Sequence, residues 1–224
     1  MSGVFKAYDI RGIYGTELTD ELAFKLGRAL VTFLNCTKVA VGRDIRPHSV
    51  PLFKALADGM TLQGADVVDL GECSTPMSYY GNGTLGCDAG VMITASHNPG
   101  EYNGFKLARA QAVPISGATG IADIEKIVQD EAYAPVPERR GTISTYDVSE
   151  RYAEYIRKSA EIKRPLKIAA DFANAMGTWE AKALEGLPLE ITPLFAEPDG
   201  TFPNHEANPL NTETLDALRA EVKK

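Results

Sequence analysis

A serine and a histidine stand side by side where an apolar run ends. The stretch "GVMITASHNPGEYNGFK" begins as a buried strand and then places Ser96, His97 and Asn98 in one short turn closed by Pro99. A nucleophile and its general base would be one interpretation, but the GxSxG elbow of hydrolases is absent and neighbouring side chains in a turn usually point apart. The other interpretation is a turn in which Ser96 or Asn98 bonds the backbone. From the spacing alone, a functional serine and a structural turn are equally open.

Four basic side chains lie near the predicted ends of strands. Arg43 and Arg46 belong to "GRDIRPHS", Lys106 follows the serine turn, and Arg11 comes from "YDIRG". Ligands of open parallel α/β sheets bind outside the carboxyl ends of the strands, and guanidinium or ammonium groups with exposed turn amides suit a phosphate. An isolated arginine at a strand end more often forms a surface ion pair. The convergence of four cations is therefore what indicates an anion site.

Alternating helical and extended patterns position these residues. Leu22, Leu26 and Leu30 recur at helical spacing behind a Thr19 cap, and continuous apolar runs indicate strands of a mostly parallel sheet covered on both faces. Helices are predicted at 19–35, 49–63, 75–85, 119–130, 148–161 and 176–185, with a last one from a Thr212 cap, and strands at 38–44, 65–71, 89–95, 166–172 and 189–196. The proline-rich stretch 132–141 is the predicted linker to a second, unfinished α/β domain with two clear strands.

Composition narrows the class of protein. A chain of 224 residues suits two modest domains, and 23 Lys and Arg against 30 Asp and Glu give a net charge of −7. That charge argues against nucleic-acid or anionic-membrane partners, which usually require a basic face, but not against small phosphates. The three cysteines, Cys36, Cys73 and Cys87, have no CxxC spacing and predict buried free thiols. With neither a signal peptide nor a membrane-spanning run in the sequence, we expect a cytoplasmic protein.

Six stretches together resemble the α-D-phosphohexomutase family. In chain order they are "YDIRG", "VGRDIR", "STP", "TASHNPGEYNGFK", "DFANAMG" and "PDGTFPNHEANPL", of which "TASHNP" is a highly specific motif. The start "FKAYDIRG" resembles the phosphomannomutase/phosphoglucomutase group. The resemblance covers essentially the whole chain but only the first half of the family's pattern. It implies two consecutive three-layer α/β/α domains with mixed, mostly parallel sheets, the second incomplete: domain 1 at residues 1–140 and a truncated domain 2 at 141–224.

The resemblance also implies roles for the matching residues. In the family, the serine of this loop carries a phosphoryl group, donates it to a hexose phosphate and takes the other phosphate back from a bisphosphate intermediate. That serine is Ser96 here, and His97 is a neighbour that supports its loop. Lys106 matches a lysine near the reacting hydroxyl, and Arg11 matches an arginine that faces the phosphoserine. The expected substrate- and phosphate-binding set is Tyr8, Arg43 and Asn98.

Other parts of the family's pattern are missing from this chain. The family binds Mg²⁺ through a DGDxDR loop and a phosphoserine oxygen, and this sequence ends at Lys224 before such a loop, so Ser96 is the one metal-site residue that can be named. We expect the N-terminal part of a mutase for mannose and/or glucose phosphates, using Mg²⁺ and hexose 1,6-bisphosphate as activator. It should be inactive without its C-terminal domains 3 and 4. The alternative is a non-catalytic sugar-phosphate-binding fragment or half of a split protein.

The remaining polar and aromatic residues have structural interpretations. Asp171 and Asn174 lie at a strand-to-helix turn, where capping of the next helix is favoured over ligand binding. His205 and Asn208 are expected to organise their loop, and His48 to lie at the surface or beside a helix cap. Core or interface packing is expected for the large aromatic residues Trp179, Tyr79, Tyr80, Tyr152 and Tyr155.

Overall fold

Strands and helices alternate along the chain in the predicted order. The computed structural model describes residues 3–224. The strands are β1 (Ile10–Ile13), β2 (Lys38–Arg43), β3 (Asp66–Glu72), β4 (Ala89–Ile93), β5 (Tyr102–Arg109), β6 (Ile143–Thr145), β7 (Leu166–Asp171) and β8 (Leu189–Leu194). The helices are α1 (Asp20–Leu34), α2 (Ser49–Leu62), α3 (Thr75–Thr84), α4 (Ile121–Asp130), α5 (Ser149–Ser159), α6 (Gly177–Leu184) and α7 (Asp216–Val222). Every predicted helix and strand has an observed counterpart.

The first sheet has six strands in the order β1-β5-β4-β2-β3-β6. Strands β4, β2, β3 and β6 are parallel to one another, whereas β5 runs antiparallel to β4. The edge strand β1 pairs antiparallel with β5 and so runs in the same direction as β4. The sheet is therefore mixed and mostly parallel, as expected. Strands β1, β5 and β6 were not predicted, because "IRGI" and "IST" are short and "YNGFKLAR" is interrupted by a glycine and polar residues, so none of them carries a long apolar run.

Helices cover both faces of this sheet. One apolar cluster joins α1, α2 and α4 to the sheet, and a second joins α3 and α5 to its opposite face. The Thr19 hydroxyl accepts a hydrogen bond from the Leu22 amide and caps α1, as predicted. Gly27 lets α1 approach α2 closely, because a Cβ there would lie 2.2 Å from the carbonyl oxygen of Leu56. The result is the expected three-layer arrangement.

The second sheet consists of β7 and β8, which are parallel. The last helix differs from its prediction: a 3₁₀ turn, Thr212–Leu215, precedes α7, and the side chain of Asn211, not Thr212, accepts the capping bond from the Glu213 amide. An asparagine one residue upstream provides the same acceptor, so the sequence could not discriminate between the two caps.

Part of the segment between the two sheets packs with the first sheet. Strand β6 lies beyond residue 140 yet pairs with β3 of the first sheet, and Val148 and Tyr152 pack into that sheet's second apolar cluster. The boundary at 140/141 stays a prediction. None of the helices in the described part of the chain is both long and apolar enough to cross a membrane.

Candidate active site

The serine turn projects from the carboxyl end of β4. Ser96 is exposed and has φ 58°, a left-handed conformation that is uncommon for a residue with a Cβ. Two local hydrogen bonds hold this shape: the Ser96 amide donates to the Thr94 hydroxyl at 2.9 Å, and the Asn98 amide donates to the Ala95 carbonyl at 3.2 Å. Backbone strain of this kind concentrates at functional sites. The turn therefore holds the Ser96 hydroxyl out toward solvent.

The side chains of Ser96 and His97 are hydrogen-bonded to each other. The distance from Ser96 Oγ to His97 Nδ1 is 3.1 Å. The expectation that neighbouring side chains in this turn point apart was therefore wrong for this pair. An imidazole nitrogen at this distance can accept the hydroxyl proton or donate one to the serine oxygen.

Two cations share a buried carboxylate beside this turn. Arg11 on β1 donates to Asp9, and Lys106 Nζ on β5 lies 3.8 Å from Asp9 Oδ2. Arg11 Nη1 also donates to Asn98 Oδ1 at 2.5 Å, which ties it to the serine turn. The antiparallel pairing of β1 with β5 brings these residues together. Asp9 was missed by the sequence interpretation, because it lies in the bend before β1, where the alternation of a strand does not indicate the direction of a side chain.

Tyr8 and Arg43 occupy different surroundings. Tyr8 is 82% exposed, next to the Asp9 carboxylate in sequence. Arg43 ends β2, but its Nη1 donates to Asp69 Oδ1 at 2.7 Å and its guanidinium lies over the ring of Phe53. Phosphate binding by Tyr8, Arg43 and Asn98 stays a prediction.

Arg46 does not line the mouth of the site. Only 1% of its surface is exposed, and its guanidinium bonds Asp44 and backbone carbonyls of the serine turn. Its assignment to an anion-binding set of cations was therefore wrong. A charged side chain so fully buried must find its partners inside the protein, and here it finds them in backbone oxygens.

The second sheet's connections close one side of the site. A cavity of about 260 Å³ separates the serine turn from the start of α6 and the loop before α7. Its lining includes Thr94, Ser96 and His97 on one side and Ala175, Met176, Gly177, Phe202 and Ala207 on the other. The Ser96 hydroxyl thus faces a cleft between the two α/β units.

Asp171 and Asn174 do not cap α6, which corrects the favoured interpretation. The residue before α6 is Met176, and no side chain caps that helix. Asp171 instead accepts from the Ala173 amide at 2.9 Å and lies 3.1 Å from His205 Nε2. Asn174 is buried and donates to the Glu197 carbonyl at 2.8 Å. Both side chains therefore fasten the loop that follows β8.

His205 and Asn208 organise their loop, as expected. His205 bonds Asp171, and Asn208 Oδ1 accepts from the Leu210 amide at 3.2 Å. His48 lies at a helix cap, as expected, because it is the residue directly before α2, although its side chain makes no capping bond. The side chain is half-buried: Nε2 contacts the Gly100 carbonyl at 3.0 Å and Nδ1 contacts Asn103 Nδ2 at 2.9 Å.

Most of the large aromatic residues pack as expected. Tyr152 is buried in the second apolar cluster, with Tyr80 and Trp179 against it. Burial raises the pKa of the Tyr79 hydroxyl. Tyr155 lies at the surface, 56% exposed, with its ring against Tyr80.

Metal-ligating groups are sparse around this site. Among residues 3–224, no group of three or more His, Cys, Asp or Glu side chains is arranged to hold a metal ion. The three cysteines are free and buried, as predicted, and burial raises the pKa of Cys36 and of Cys73 to about 12. These thiols are therefore protonated at neutral pH and unsuited to nucleophilic or ligand roles.

Known proteins are similar to this chain in both sequence and fold. Residues 2–134 match the family "Phosphoglucomutase/phosphomannomutase, alpha/beta/alpha domain I", and residues 150–224 match domain II of the same family. A phosphomannomutase from Escherichia coli is 40% identical over 229 residues, which cover 96% of this chain and 50% of that protein. A phosphoglucomutase from Neisseria meningitidis is 38% identical, with 98% of this chain and 48% of that protein covered.

A solved structure agrees with these matches. The crystal structure of a phosphoglucomutase/phosphomannomutase family protein from Burkholderia thailandensis superposes with a TM-score of 0.91 and 34% identity, covering 99% of this chain and 50% of that one. The chain spans about half the length of the curated relatives it matches. Because the two family matches together cover most of its residues, this chain belongs to the phosphoglucomutase/phosphomannomutase family.

Proposed function

We propose that this chain is the N-terminal part of a phosphohexomutase that interconverts hexose 1-phosphate and hexose 6-phosphate, with mannose and/or glucose as the sugar. Ser96 carries the phosphoryl group. The observation that carries the proposal is the exposed Ser96 hydroxyl, held in a left-handed turn that also binds Arg11. The family relatives, named phosphomannomutase and phosphoglucomutase, support the substrate class.

The proposed transfer needs few covalent changes. A sugar hydroxyl oxygen attacks the phosphorus of phosphorylated Ser96, a new oxygen–phosphorus bond forms, and the bond from phosphorus to Ser96 Oγ breaks. The hydroxyl proton ends on Ser96 Oγ, and His97 Nδ1, 3.1 Å from that oxygen, can hold it during the exchange. The hexose bisphosphate then turns around and returns its other phosphoryl group to Ser96 by the reverse step, which restores the phosphoserine.

The cations support this chemistry electrostatically. Phosphoryl transfer depends mainly on positioning and on neutralisation of the charge that spreads over the phosphoryl oxygens. Arg11 and Lys106 provide two positive charges beside the serine turn, and Asp9 holds both of them while offsetting one charge. Each cation is therefore fixed before the phosphate arrives, which lowers the reorganisation that transfer requires.

Mg²⁺ and hexose 1,6-bisphosphate are part of the proposal as cofactor and activator. The residues of this chain do not by themselves fit a magnesium site, because the described residues contain no cluster of three or more suitable side chains. A phosphate oxygen on Ser96 would be one ligand, and no step above passes through the metal. We accordingly propose that the 224-residue chain alone shows no mutase turnover and depends on C-terminal domains 3 and 4. We also propose a cytoplasmic location.

Intact-mass spectrometry tests the phosphoserine directly. The complete protein that carries this chain, incubated with hexose 1,6-bisphosphate and Mg²⁺, should gain one phosphoryl group, and phosphatase should remove it. Ser96→Ala should abolish the gain, whereas Ser159→Ala, at the exposed end of α5, should leave it unchanged. Labelling that survives in Ser96→Ala would contradict the proposal.

A further inference from the structure

The guanidinium of Arg46 lies in the interior of the protein without access to solvent. Its side chain is 0% exposed, and its Nε donates to Asp44 Oδ2 at 3.2 Å. The same carboxylate accepts from the Ser49 hydroxyl at 2.6 Å and from the Arg46 amide at 3.2 Å. Burial lowers the pKa of Arg46, although an arginine starts so high that the group stays charged. A buried cation is thus held in place from one side by a buried carboxylate.

The other side of this guanidinium binds four backbone carbonyls of the serine turn. Nη2 donates to the carbonyl oxygens of Ser96 at 3.1 Å and Asn98 at 2.7 Å. Nη1 donates to those of Pro99 at 2.6 Å and Tyr102 at 3.0 Å. One planar group therefore fastens the segment 96–102 at both of its ends. Only arginine has donors in this flat fork; a lysine ammonium offers three and no plane.

These contacts bear directly on the strained residue. The peptide groups on both sides of Ser96 are held, since its amide bonds Thr94 and its carbonyl bonds Arg46. With both neighbouring peptides held, φ 58° is maintained and the direction of the Cα–Cβ bond is set. The direction of the Ser96 hydroxyl is then set by Arg46, which does not itself touch it.

The second α/β unit covers this anchor. The ring centroid of Phe202 lies 5.0 Å from Arg46 Cζ. The backbone of Gly200 is so close that a Cβ there would be 2.3 Å from the Ile45 carbonyl oxygen. Water is kept from the arginine by this contact, and its hydrogen bonds are stronger in the drier surroundings.

We propose that Arg46 is a positioning residue for phosphoryl transfer at Ser96. Arg46 acts by binding the backbone carbonyls of the serine turn on the side that faces the protein interior. Arg11 and Lys106 lie beside the turn with Asp9 and supply positive charge for the phosphate. This inference rests on the proposed function for its chemistry. The carbonyl contacts of Arg46 do not depend on that function. The test therefore has one measurement of the serine turn itself and one of phosphoryl transfer.

Arg46→Lys is the test variant and Arg28→Lys its matched control. Arg28 is a half-buried arginine of the same domain that donates to Gln63 at 3.1 Å and lies 4.0 Å from the centroid of the Tyr133 ring, away from the serine turn. A second variant, Asp44→Asn, keeps an oxygen for Ser49 but replaces the other carboxylate oxygen by an amide NH2, so it removes both the charge opposite Arg46 and the acceptor of its Nε. It secures the test if Arg46→Lys fails to fold.

The first measurement is hydrogen exchange on the 224-residue chain. Arg46→Lys should speed exchange of the amides in 94–102 by about tenfold or more, because hydrogen bonds to a charged donor are lost there. Asp44→Asn should give a smaller increase in the same segment. Arg28→Lys should leave that segment unchanged.

The second measurement is single-turnover labelling of Ser96 in the complete protein by hexose 1,6-bisphosphate. Arg46→Lys should lower the plateau rate by on the order of a hundredfold, as expected when reacting atoms are misplaced by about 1 Å. The bisphosphate concentration for half-maximal rate should not change, since Arg46 does not touch the ligand. A general loss of stability in Arg46→Lys would instead speed exchange of amides far from residues 94–102 as well.

The outcomes separate the two proposals. Wild-type protein that takes no label on Ser96 overturns the proposed function and the positioning role with it. Labelled wild type with Arg46→Lys labelled equally fast, or with unchanged exchange in 94–102, overturns the role of Arg46 alone. An equal loss in Arg28→Lys also overturns it.

Discussion

Replacing Ser96 with glycine should stabilise the protein relative to replacing it with alanine. Both variants lack the hydroxyl and its bond to His97, so they differ only in the Cβ. At φ 58° a residue with a Cβ is disfavoured by about 1–2 kcal/mol. Glycine avoids this penalty, but it costs about 0.4–1 kcal/mol because the unfolded chain with a glycine is more flexible and loses more entropy on folding. Taking the middle of both ranges, Ser96→Gly should have a free energy of unfolding about 0.8 kcal/mol greater than that of Ser96→Ala.

Urea unfolding measures this difference. For a slope of about 2 kcal/mol per M, the midpoint of Ser96→Gly should lie about 0.4 M above that of Ser96→Ala. Ala118→Gly is the control, since Ala118 is exposed and has no positive φ, and there glycine should lower the midpoint. A midpoint for Ser96→Ala equal to or above that of Ser96→Gly would refute the view that this turn stores strain.

Three further predictions concern the surroundings of the serine turn. Burial lowers the pKa of His48 in the folded protein. Its effect on the free energy of unfolding should therefore be constant above the unfolded pKa of about 6.5 and become destabilising as the pH drops below it. His48→Gln should flatten this slope in urea titrations from about pH 7 to about pH 5, and an unchanged slope would contradict the prediction. Gly200→Ala forces a Cβ against the Ile45 carbonyl and should lower the free energy of unfolding by about 1–3 kcal/mol; an unchanged midpoint would contradict the close approach. Asp9→Asn removes the carboxylate that holds two cations and should slow single-turnover labelling by about tenfold or more; wild-type rates would show that Asp9 has no such role.

The sequence alone was sufficient for the three parallel strands β2, β3 and β4 of the first sheet. Runs such as "AGVMI" are apolar at every position, which is typical of a strand buried on both faces, and β4 is buried throughout. The helices were predictable from their apolar spacing and from caps such as Thr19. The strands β5 and β1 were not, because an antiparallel edge with glycine and polar residues has no local pattern strong enough to separate it from a loop.

Some features of the candidate site could likewise be predicted from the sequence, and others could not. Local sequence determined that Ser96, with a histidine beside it, would leave the sheet at the end of β4, and that four basic residues would be nearby. Which of these cations face the serine was decided by tertiary structure. Arg46 turns inward because its partners are carbonyls 50 or more residues later in the chain, and Arg11 faces the turn because β1 pairs with β5. A side chain's direction depends on contacts distant in sequence, and no local pattern of residue types records them.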